Sequence, residues 1–203
     1  NQIEEIYRKS SLNLLLVGCF LFLLIWCNLD FIYQIIPRHE IYEAGKWVVL
    51  MVGISKIIDM GTGLNSEILI NSTYYRYDLF FYMVLAICVV IGNLIFIPLY
   101  SYNGAALAAL IALVIYNTIK FVFIWKKMGL QPFEWRTGMI LLVSIGIYVV
   151  VEWIPVIEGS QWLAWVMNIV LRSLAIGILF VGASWKLDLS PDLEELIKTY
   201  WKK

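Results

Sequence analysis

Lys56 and Asp59 stand three residues apart inside Val52–Glu67 (VGISKIIDMGTGLNSE), a stretch dominated by apolar side chains. On a helix, residues three and four apart share a face, so Lys56, Asp59 and Gly63 form one stripe, which Val52 and Ser66 or Glu67 extend. Ile54, Ile57, Ile58 and Met60 occupy the other faces. A charge held in mid-bilayer costs at least about 2.5–3.5 kcal/mol on insertion scales, so two in one span need a reason. Two reasons are open. Either the pair neutralises itself and locks packing, or the stripe faces a water-filled cavity or a partner helix. Asn117 and Lys120 share a face of a later segment. There the ammonium either snorkels to the headgroups or lines a cavity. Arg172, one turn after Asn168, is the remaining cation inside an apolar run and also needs a partner or water.

Enzyme signatures are thin. His39 is the only histidine and falls in a polar connection. No His, Cys and carboxylate cluster suggests a metal site, and no glycine-rich phosphate loop is present. Cys19, Cys27 and Cys88 lie in apolar runs at no metal-ligand spacing, which suits small buried hydrophobes. The expectation is no enzyme, no catalytic residue, no metal and no cofactor. The candidates are residues of a substrate or ion pathway: Lys56, Asp59, Asn117, Lys120 and Arg172.

The elements that hold them follow from composition. Of 203 residues, 62% are hydrophobic and 15% charged, against about 45–50% and about 25% in soluble domains. Too few polar side chains remain to cover a water-facing surface, which argues against a soluble enzyme or a nucleic-acid-binding domain. The 15 Lys and Arg balance the 15 Asp and Glu, so no net charge draws the chain to polyanions. Apolar stretches near the roughly 17–25 residues a span needs fall at about 11–36, 47–64, 78–100, 104–125, 137–154 and 162–185. Pro37-Arg38-His39-Glu40, Asn71–Arg76 (NSTYYR), Ser101-Tyr102-Asn103, Lys126–Arg136 (KKMGLQPFEWR) and Ile157–Gln161 (IEGSQ) separate them. In the fourth stretch, Gly104, Ala108 and Ala112 form a small face that lets helices approach closely.

With six spans both termini share a side. Ten of the 15 Lys and Arg fall there, against Arg38 and Lys46 on the other, so the termini are predicted cytoplasmic. Trp26, Trp47, Trp125, Trp153, Trp162 and Trp185 sit near span ends, where amphipathic rings anchor. After the last span, Ser190-Pro191-Asp192 reads as a helix start, and Leu193, Leu196, Ile197, Tyr200 and Trp201 share one apolar face. The expected fold is an all-α integral membrane protein. Its six-span region covers 1–186, and a short amphipathic cytoplasmic surface helix lies in 187–203. The polar start Asn1–Ser10 (NQIEEIYRKS), without Met, reads as the interior of a longer polypeptide.

Several segments carry a family likeness: GTGLNSEI (Gly61–Ile68), GNLIFIPLY (Gly92–Tyr100), SYNGAALAALIALVIYNTIKFVF (Ser101–Phe123) and GLQPF (Gly129–Phe133). They resemble the C-terminal region of bacterial polysaccharide flippases of the multidrug/oligosaccharidyl-lipid/polysaccharide exporter superfamily, which includes O-antigen flippases. The family pattern has an Asn-containing helix ending in L-I-P-x-Y-G, followed by G-A-A-x-A-T. Here Leu99 separates Pro98 from Tyr100, Ser101-Tyr102-Asn103 replaces a shorter turn, and Ala109 stands in place of the Thr. The likeness runs over about Tyr7–Phe133 and is clearest from Gly61. These are packing and turn motifs, which identify a family better than a substrate.

The resemblance implies a two-lobe transporter in the bacterial inner membrane. It moves polyprenyl-diphosphate-linked oligosaccharide by alternating access for surface polysaccharide biosynthesis. This chain would be helices 9 to 14 of a 14-helix member, holding part of the C-terminal lobe, with the N-terminal lobe of the same polypeptide missing. Its partners would be the lipid-linked oligosaccharide, the bilayer and a coupling H+ or Na+, with no nucleic acid. Lys56 would be the cavity cation, with Asp59 tuning it or relaying the coupling ion; Asn117, Lys120 and Arg172 follow. A small-molecule exporter of the same superfamily and a non-transporting membrane scaffold are the alternatives.

Overall fold

A computed structural model describes residues 2–37, 42–157, 159 and 162–189. All regular structure among them is helical: α1 (Gln2–Trp26), α2 (Leu29–Ile35), α3 (Lys46–Thr62), α4 (Asn65–Ile70), α5 (Tyr75–Met128), α6 (Trp135–Glu152) and α7 (Trp162–Lys186). Four of these, α1, α5, α6 and α7, are long and apolar enough to cross a membrane. Their outer surface suits hydrocarbon: Leu94 and Ile178 are each 72% exposed, and Val90, Ile91 and Ile95 are also uncovered. A large apolar exterior of this kind is unusual for a monomeric soluble protein.

The six expected stretches fall on these helices with other boundaries, for local reasons. The first stretch divides at Cys27-Asn28 into α1 and α2. The second is α3, whose 17 residues span only about 26 Å at 1.5 Å per residue. It stops at Gly63, whose φ of +63° suits glycine and few other residues. The third and fourth lie in α5, a run of 54 residues interrupted at Ser101, where φ is 55° and ψ is −132°. The amphipathic helix expected within 187–203 lies outside the described residues beyond Leu189, as does His39.

At Ser101 the chain reverses, and α5 folds into a helical hairpin with legs Tyr75–Tyr100 and Tyr102–Met128. The legs touch along their length. Phe81 packs edge-on to Phe123 at 5.3 Å between ring centroids, and Tyr82 lies 5.4 Å from Tyr116. Near the turn, Gly92 meets Ala108, and a Cβ on Gly104 would run into the Phe96 carbonyl. In the small face read from Gly104, Ala108 and Ala112, the first two are therefore where the second leg presses on the first, and all three residues are buried.

The chain forms two compact units. The first comprises residues 1–15 and 47–134, and the second 16–46 and 135–203. In the first, Tyr7, Leu69, Phe81, Tyr116, Ile124 and Leu130 make a buried core that joins the start of α1, α4 and the α5 hairpin. The Tyr7 hydroxyl donates to Asn65 Oδ1, and Ser11 Oγ donates to the Gly61 carbonyl. In the second unit α7 packs against α2 and α6, with Phe20 and Phe180 in ring contact at 5.4 Å.

The turn yields a paired prediction. A non-glycine residue held at positive φ costs on the order of 1–3 kcal/mol, so Ser101→Gly should raise thermal stability in detergent. Gly104→Ala should lower it, by about 1–3 kcal/mol as overpacking does. Gly146→Ala, which meets open space, is the control and should not destabilise. Thermal melts of the three variants check the set, and a neutral Gly104→Ala would contradict the close leg contact.

Candidate functional site

The first unit places Asp59, Asn117 and Lys120 on adjoining elements. Asp59 lies one turn before the end of α3. The Thr62 hydroxyl reaches the Asp59 carbonyl at 2.9 Å and Asn117 Oδ1 at 3.3 Å. Asn117 Nδ2 donates to Asp59 Oδ1 at 3.3 Å. The end of α3 is thus tied to the second leg of α5 through the side chains of Asp59, Thr62 and Asn117, and Asn117 is buried.

One turn further along the leg, Lys120 is fully buried at 0% exposure. Its ammonium lies 2.7 Å from Asp78 Oδ1 on the first leg. It donates to Ser66 Oγ of α4 at 2.5 Å and to the Tyr116 hydroxyl at 2.8 Å. The Tyr116 and Tyr82 rings lie 4.6 and 5.2 Å from it. The ammonium thus has two hydrogen-bond acceptors and one close carboxylate, and two aromatic faces add cation–π attraction. Asp78 is buried with it, and its Oδ1 takes the ion pair without hydrogen-bond geometry. Lys120 does not snorkel; it joins three helical segments.

Between these contacts lies a half-open cavity of about 290 Å³. Asp59, Thr62, Asn65, Ser66, Glu67 and Asn117 supply its polar wall, with Tyr82, Tyr116 and leucines completing it. The stripe expected to continue from α3 through Ser66 or Glu67 is interrupted at Gly63, yet both residues reach the same cavity as Asp59.

Lys56 behaves differently. It is exposed, and among the described residues it makes no ion pair, with Asp59 or any other acid. The self-neutralising pair is not formed, and Lys56 does not line the cavity. Arg172 belongs to the second unit. Its Nη1 donates to the Cys27 carbonyl at 3.0 Å, its guanidinium lies 5.0 Å from the Phe31 ring centroid, and Glu152 is 3.9 Å away. Nearby, Asn28 Nδ2 donates to Leu24 O at 2.8 Å and to Ser173 Oγ at 3.1 Å. Arg172 thus satisfies a carbonyl released where α1 stops, a need every helix end has. Asn168 holds both backbone polar groups of Ile157, at 3.0 and 3.1 Å. Asp30 and Glu152 are exposed, and Asp30 pairs with Lys46 at 2.6 Å.

No protein-family model, curated protein or solved structure matches this chain. The site must be read from its own chemistry.

Sequence reasoning named Asp59, Asn117 and Lys120 but missed Asp78, Asn65 and the two tyrosines. A signal for Asp78 was present. It lies 23 residues before Ser101 and Lys120 lies 19 after it, so a tight helical hairpin brings them within about one turn of each other. Among the described residues no three His, Cys, Asp or Glu gather as a metal site.

The buried pair gives a sharp test. Removing one partner of a buried ion pair costs about 3–5 kcal/mol, whereas replacing both by apolar residues is often neutral or stabilising. Asp78→Asn should therefore lower thermal stability strongly, and Asp78→Leu with Lys120→Met should recover most of the loss. A double-mutant cycle by thermal or denaturant unfolding in detergent checks this. Additive losses from the two sites would contradict a direct pair.

Proposed function

We propose that this chain is the C-terminal part of a flippase that carries polyprenyl-diphosphate-linked oligosaccharide across the bacterial inner membrane by alternating access. Both termini would be cytoplasmic, and the lipid-linked glycan would feed surface polysaccharide synthesis. In this reading the helices form part of the C-terminal lobe and work against an N-terminal lobe of the same polypeptide.

The observation that carries the reading is Lys56. Its neighbours Val52 and Ile54 are also exposed, so the cation sits on an otherwise apolar surface and makes no ion pair among the described residues. Hydrocarbon is a poor environment for such a charge. A water-filled central cavity, in which an ammonium meets a diphosphate, accounts for it. The helix-end and turn motifs at Gly61–Ile68 and Gly92–Phe123 support the same family. Asp59, within a turn of Lys56, would tune that cation or relay a coupling proton or sodium ion, while Lys120 and Arg172 would serve the architecture.

The test is made in cells lacking the full-length gene and free of a redundant flippase. Lipid-linked precursor should accumulate and surface polysaccharide should fall. Full-length protein with Lys56→Ala should insert normally and restore little export, whereas wild type restores it fully. Unchanged precursor and glycan in the deletion, with new drug sensitivity, would favour a small-molecule exporter instead. Unchanged levels with no such sensitivity would favour a scaffold.

A further inference from the structure

The cavity beside Asp59 is a second, chemically distinct feature. Its polar wall carries two carboxylates, Asp59 and Glu67, and no Lys, Arg or His lines it among the described residues. Lys120 stands behind that wall, its ammonium committed to Asp78, Ser66 and Tyr116. A phosphate or diphosphate, which only accepts hydrogen bonds at full ionisation, would meet repulsion there with no compensating cation.

One wall residue also lacks a partner. Asn65 is 3% exposed. Its Oδ1 is taken by the Tyr7 hydroxyl, while its Nδ2 is buried without a hydrogen-bond partner. A buried amide donor left unsatisfied costs about 1–3 kcal/mol, so it calls for an acceptor. A cationic ligand would answer the carboxylates and leave Asn65 orphaned. A hydroxyl answers both, since it donates to a carboxylate and accepts from an amide. Tyr82 and Tyr116 add ring surface that suits the C–H face of a sugar, and about 290 Å³ is room for one ring with water.

We infer that this cavity is a subsite for an uncharged, hydroxyl-rich sugar ring and that it rejects phosphate. Asp59 and Glu67 accept from ring hydroxyls, and Asn65 Nδ2 donates to one. The inference deepens the flippase reading and rests on it for the source of the sugar. It separates the two ends of the substrate: the diphosphate goes to the exposed cation Lys56 and the glycan to the carboxylate wall.

The experiment uses the full-length protein in lipid nanodiscs, free of sugar-based detergent, with Cys19, Cys27 and Cys88 replaced by Ala. A reporter cysteine is placed in the cavity wall as Leu113→Cys and, separately, as Leu85→Cys, so that one misfolded variant does not end the test. A cationic methanethiosulfonate should label either reporter at least about tenfold faster than an anionic one, as expected where one sign of charge dominates the wall. Maltose should slow labelling by the cationic reagent, and inorganic pyrophosphate should not. Asp59→Asn should weaken maltose protection severalfold. Lipid-linked oligosaccharide and the same glycan released from its lipid are compared last; protection by either supports the subsite and identifies its source. Protection by pyrophosphate, equal labelling by both reagents, or no protection by any saccharide would overturn the inference. None of these outcomes touches the export phenotype of the deletion, so the two readings fail separately.

Discussion

An ammonium with no access to solvent is the most demanding group in this structure. Taking Lys120 and Asp78 out of water costs several kcal/mol per ion even after relaxation, and attraction returns this only when geometry and hydrogen bonding are good. The fold meets that condition by converging three segments on one atom: the first leg through Asp78, the second through Lys120 and Tyr116, and α4 through Ser66. The polar cavity follows from the same convergence. Asn117 lies three residues before Lys120 on the same leg, so fixing the lysine also fixes the amide that Asp59 faces. The hairpin is thus closed at both ends by different physics, with steric fit of Gly104 against Phe96 near the turn and charge at the open end.

The helical, membrane-suited character was legible in the sequence because hydrophobic runs of this length have few other uses. The reversal at Ser101 was legible from Pro98 and the polar triplet that follows. The close approach at Gly104 and Ala108 was legible from side-chain size. Partner choice was harder to read. Three-residue spacing put Lys56 and Asp59 on one face, but sharing a face allows contact without requiring it, and Asp59 turns to Asn117 instead. Lys120 near the end of an apolar run looked free to snorkel, since nothing local to it is acidic. Its partner is 42 positions away in sequence, and only the hairpin brings the two together. Arg172 shows the same limit: the group it serves is a backbone carbonyl at the end of another helix, which side-chain patterns do not display.

Two cations of the first unit, Lys120 and Lys56, differ sharply in their surroundings. Lys120 is buried and held by Asp78, Ser66 and Tyr116, the condition of a group that holds a fold. Lys56 is exposed and unpaired among the described residues, the condition of a group that waits for something outside them. That difference is why a substrate with an anionic part is proposed, and the carboxylate-lined cavity is why an uncharged part is proposed on the same molecule. Lipid-linked oligosaccharides have both.

The central claim is that the Lys120–Asp78 pair closes the open end of the hairpin while small residues close the turn end. A cysteine pair reports on the open end in membranes: Tyr77→Cys with Phe123→Cys, whose native rings lie 4.8 Å apart. The pair is treated with a short thiol-reactive cross-linker, with Asp78 intact and as Asp78→Asn. The account predicts that the pair cross-links with Asp78 intact and that Asp78→Asn abolishes the product. Equal cross-linking with and without the Asp78 carboxylate would contradict it.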